Sequence, residues 1–107
     1  MAHRFTYVPG AAWTFAGSGT TGTYTYNLPA LAGAGTITVT SSSVSRVPDG
    51  AFFNVRADGV LILSSPCLVN GSQSAYVPPR TLVITVQVTD NCIGGGVTVN
   101  SWSLTGG

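Results

Sequence analysis

The sequence predicts an all-β protein: one antiparallel β-sandwich or jelly-roll-like domain of about eight short strands, with negligible helix. Three observations carry that prediction. Apolar and aromatic residues alternate with polar ones along most of the chain, and no 3.6-residue periodicity is visible. Clusters of Gly, Pro, Asn and Asp punctuate the alternation every 8–12 residues or so, roughly the spacing of sandwiches and barrels. A length of 107 residues suffices for one hydrophobic core and not for two, so residues 1–107 read as a single domain.

Along the chain, RFTYV, AWTFA and TYTYNL each carry aromatics at alternate positions (Phe5 and Tyr7, Trp13 and Phe15, Tyr24 and Tyr26), which marks three short strands. In GTITVTSSSV, Ile37 and Val39 face one way and Thr36, Thr38 and Thr40 the other, in a strand expected to run on to about Val47. Val47-Pro48-Asp49-Gly50 has turn chemistry, and Asp58-Gly59 is a two-residue hairpin signal. Residues 36–65 are therefore expected to form a three-stranded meander. Its last strand, VLILSS, is a continuous apolar run suited to a central position covered on both faces. Cys67–Arg80 reads as a long connection stiffened by Pro78-Pro79. TLVITVQVT is the clearest strand of all, with Leu82, Ile84, Val86 and Val88 on one side. The Gly-rich stretch Asn91–Gly96 then closes a second hairpin with VTVNSWSL. No Trp lies between Cys67 and Cys92, which disfavours an antibody-type domain.

Each cysteine follows the end of an expected strand. If those ends meet at one rim of the sandwich, Cys67 and Cys92 form a disulfide closing a loop of about 25 residues. The alternatives are two free thiols acting as small apolar side chains, or a bridge between molecules. Asn70-Gly71-Ser72 matches a glycosylation acceptor, but Asn-Gly is in the first place a turn dipeptide.

The titratable inventory excludes most chemistry. There is one histidine, His3, at the very start, no Lys and no Glu, and all three aspartates sit in or beside expected turns where they serve the backbone. No enzyme is expected, and no catalytic, cofactor-binding or metal set is assigned: Asp90 and Asn91 lack the spacing of a calcium loop, and two cysteines are too few for zinc. Four scattered arginines give no footprint for nucleic acid. No apolar run is long enough for a membrane helix, and MAHRFTYVPG resembles neither a signal core nor a transit segment.

What remains is the surface. Charged residues make up 7% of the chain, against about 25% in soluble proteins, while a monomer of this mass exposes on the order of 5,600 Å². Ordered interfaces are poor in Lys, Glu and Asp and keep Arg. This composition points to a non-enzymatic structural or assembly protein: a small bacteriophage virion component such as a capsid decoration (cement) protein or a minor tail or fibre subunit. Its partners would be other protein subunits, in a homo-oligomer or a larger capsid or tail. Arg46, Arg56, Arg80, Phe5, Tyr7 and Trp102 are the candidate interface residues. The alternatives are a carbohydrate-binding, lectin- or adhesin-like module stacking sugars on Trp102 or Tyr76, and a secreted or cell-surface spacer domain.

Overall fold

The computed structural model describes residues 12–107, which form eight strands and no helix. They are β1 (Trp13–Ser18), β2 (Gly22–Asn27), β3 (Gly35–Ser43), β4 (Ala51–Ala57), β5 (Val60–Ser64), β6 (Asn70–Val77), β7 (Val83–Asp90) and β8 (Thr98–Gly106). Two four-stranded sheets, ordered β1-β8-β3-β6 and β2-β7-β4-β5, are antiparallel throughout. The expected all-β sandwich is what forms.

The order follows from a single fold-back. Asp58 (φ 49°) and Gly59 (φ 83°) make a two-residue turn with both central residues left-handed, the geometry that matches strand twist in hairpins. From that turn the chain doubles on itself: β4 pairs β5, β3 pairs β6, β2 pairs β7 and β1 pairs β8. Successive pairs fall in alternate sheets, and the β3–β8 and β4–β7 ladders join them. This wrapped ribbon of eight strands is the jelly-roll arrangement.

Alternation explains the core. Ile37, Val39, Trp102 and Leu104 from one sheet meet Phe53, Val55, Ile84, Val86 and Val88 from the other, all buried. Trp102 and Phe53 touch edge to face across the sheets at 6.4 Å between ring centroids. The outer face of the first sheet is a carpet of hydroxyls. There Thr38 bonds Ser74 and Thr40 bonds Ser72, each at 2.8 Å, cross-strand pairs that stand in for absent charge.

Several local expectations are corrected. Residues 36–65 are not a meander: β3 stops at Ser43 and lies in the opposite sheet from β4 and β5. The turn at Pro48 carries the chain across the sandwich rather than back along one sheet. For the same reason β7 and β8 are not a hairpin, because the loop between them also changes sheets. The run VLILSS is an edge strand, not a central one. A bulge at Ile62 shifts its register, leaving Leu63 buried and Val60 and Leu61 exposed. The connection Cys67–Arg80 contains a full strand, β6, whose inward positions Gly71, Gln73 and Ala75 are too small or polar to show an apolar alternation. The strand expected at RFTYV lies outside the described residues.

Candidate interaction surface at the disulfide-bridged rim

Loops 44–50 and 91–97 meet at the end of the sandwich away from the Asp58-Gly59 turn. Their backbones are tied together: Val44 N donates to Val97 O at 2.8 Å and Cys92 N to Gly50 O at 3.2 Å. Ser45 locks them further, its hydroxyl donating to Val47 O (2.8 Å) while accepting from Val97 N (3.0 Å). Asp49 is fully buried between the loops, with Oδ1 accepting from Ile93 N and Gly94 N at 3.5 and 3.3 Å. At the base of the second loop, Asp90 accepts from the Thr98 hydroxyl at 2.9 Å.

The disulfide braces the same end. Cys67 and Cys92 are bonded, with Cα atoms 6.0 Å apart. Both sulfurs lie against Gly50, so no side chain fits there. The bridge does not join neighbouring strands, because β4 separates β5 from β7. It pins the 65–69 segment to the 91–97 loop at the rim, and Leu68 completes the tie by exchanging two backbone bonds with Ala51.

This scaffold presents an apolar surface. Val44, Val47, Ile93, Val97 and Val99 are each 53–60% exposed. Val97 and Val99 share the outer face of β8 and its approach, and Val44 lies beside Val97; Val47 and Ile93 stand exposed on the two facing loops. The exposed charge in the two loops is Arg46, since Asp49 is buried and Asp90 half-buried. Five aliphatic side chains exposed together on two braced loops are more than the singly scattered apolar residues that a water-facing surface ordinarily carries. Burying each of these side chains against a partner contributes about 1–2 kcal/mol.

The expected site residues scatter. Arg46 belongs to this rim. Arg56, beside Leu61 in the β4–β5 ladder, and Arg80, in the turn before β7, lie toward the opposite end. All three arginines are exposed, and among the described residues the carboxylate contacts are to N–H and hydroxyl donors rather than to arginine. Trp102 is corrected: at 3% exposure it packs against Tyr24 at 4.8 Å and donates its indole N–H to Tyr26 OH at 2.7 Å, so it neither meets a partner nor stacks a sugar. Tyr76 is 62% exposed on β6, with Thr36 as its neighbour on β3. Phe5 and Tyr7 lie outside the described residues. The aliphatic rim was missed from sequence because Val44, Val47 and Val97 read as the ends of alternating strands and Ile93 as part of a glycine-rich connector, so nothing marked them as one surface. The available signal was their density around a turn and a glycine run.

No family model and no curated protein matches the chain. Among solved structures, it is similar to a periplasmic inhibitor of g-type lysozyme from Aeromonas hydrophila, with 23% identity, TM-score 0.46, and 95% of this chain and 91% of that one covered. It is also similar to a chain of the capsid asymmetric unit of cyanophage Pam1, with 17% identity, TM-score 0.47, and 98% and 90% covered. Neither likeness assigns a role to this chain.

Proposed function

We propose that the chain is a non-enzymatic assembly protein, most concretely a small virion component such as a capsid decoration or minor tail subunit, that docks on neighbouring subunits through the rim of Val44, Val47, Ile93, Val97 and Val99. The observation that supports this reading is the pairing of exposure with rigidity. Five aliphatic side chains stand in water on loops held by a disulfide, a buried carboxylate and a serine clamp. Preorganised loops lose little entropy on binding, which favours a docking surface over a flexible connector. The jelly roll is an architecture of viral capsid subunits and of lectins alike, so it accommodates the reading without deciding it.

The solution mass of the isolated chain tests this. Light scattering across increasing concentration is expected to give a multiple of 10.9 kDa; a monomer up to millimolar concentration, with reductant and without, overturns it. The exposed Tyr76 favours a second reading, a carbohydrate-binding module. That reading predicts retention on a glycan surface that is lost in Tyr76→Ala.

A further inference from the structure

We propose that the end of the core beneath the rim binds a small hard cation of the calcium class through oxygen ligands from Asp49, Asn100 and Ser41. Ser41 on β3 and Asn100 on β8 are register partners on the inner face, and both are at least 98% buried. The Asn100 amide nitrogen donates to the Thr98 hydroxyl at 3.1 Å, which fixes the side chain. Its Oδ1 and the Ser41 hydroxyl then have no protein partner. Asp49 stands one row further along: its amide donates to the Ser43 hydroxyl at 3.3 Å, and Ser43 and Ser41 share the inner face of β3. Asp49 Oδ2 is buried and unpartnered too.

Three buried oxygens without donors, one of them on a carboxylate, are a costly arrangement. A fully buried carboxylate is costly unless both oxygens are hydrogen-bonded or paired with a cation, and Asp49 has amide donors on Oδ1 alone. The edge strand leaves the same row uncrowded. Gly71 is the register partner of Ser41 on β6, and a Cβ built there meets no atom within 4 Å. An all-oxygen donor set without imidazole or thiolate suits calcium or sodium and not zinc. Calcium's tolerance of irregular geometry fits ligands drawn from two strands and a loop better than magnesium's octahedron does. Asp90, which accepts from Thr98, adds a second negative charge nearby. The competing occupant is ordered water, which would donate to two of these oxygens and accept from Ser41.

The test uses the full chain, stripped with EDTA and exchanged into choline chloride at fixed ionic strength. Calcium chloride is expected to raise Tm saturably, by roughly 10 °C at a hundredfold excess over Kd. Calorimetry should count one ion per chain. Asp49→Asn abolishes the rise, and Ser41→Ala, which removes only a hydroxyl and keeps the question open should Asp49→Asn not fold, weakens binding at least tenfold. A rise with sodium chloride alone supports the site and identifies its occupant as monovalent. If neither salt moves Tm and no ion is retained, water satisfies these oxygens and the proposal fails.

Discussion

Trp102 and Tyr76 carry the same sequence signal, an aromatic in an alternating strand, and end in opposite environments. Alternation reveals that two faces exist and not which one is covered, so the strands were legible here and the aromatic roles were not. The environment of Trp102 gives a direct prediction. Trp102→Ala removes the indole that bridges Tyr24, Tyr26 and Phe53, and should cost about 3–5 kcal/mol in urea unfolding. A loss below about 1 kcal/mol would mean that this cluster does not hold the sheets together. At the rim, a Cβ on Gly96 would collide with the Val47 carbonyl and the Ser45 hydroxyl. Gly96→Ala is therefore expected to separate the two loops, read as faster amide exchange at Val44 and Val97 while β3 and β7 keep their protection.

Among the elements, β7 and β3 were readable because strong alternation coincides with half-buried positions, and the β4–β5 turn because Asp-Gly demands left-handed backbone. β6 was not: its inward residues are Gly71, Gln73 and Ala75, and its place in the sheet comes from pairing with β3 rather than from its own pattern. β5 misled in the other direction, since a run of apolar residues marks a central strand only when neighbours cover both of its faces. The disulfide spans a sequence separation of 25. The chain-entropy model gives it about 3.5 kcal/mol, so Cys67→Ser with Cys92→Ser should lower unfolding stability by that order. The double variant should also loosen the 65–69 and 91–97 segments first, as read by exchange; uniform loosening across both sheets would contradict a local brace. Gly59→Ala forces a side chain into a left-handed position and should cost about 1 kcal/mol, with the β4–β5 hairpin fraying earliest.

The jelly roll joins the ends of the described chain, as Trp13 pairs with Gly106. Contacts of that separation require closing long loops before they stabilise anything, so refolding followed by tryptophan fluorescence should take milliseconds to seconds or longer. A microsecond phase carrying the full amplitude would contradict this topology. The sandwich class was legible from strand count and turn spacing, but the order of strands was not, because it depends on pairings between distant segments that leave no local trace. The surface is consistent with the composition: hydroxyl ladders over one sheet, three unpaired arginines among the described residues, and an aliphatic rim at one pole.

If this rim is the interface, putting charge on it must dissolve the assembly. The most direct measurement is the light-scattering mass of the variant carrying Ile93→Asp and Val97→Asp beside that of the parent, with Tm recorded for both. Both positions are exposed, so the variant should fold with an unchanged Tm and fall from the assembled mass to 10.9 kDa. A folded variant that keeps the parent's assembled mass would show that the subunits meet elsewhere, and the rim would lose its assigned role.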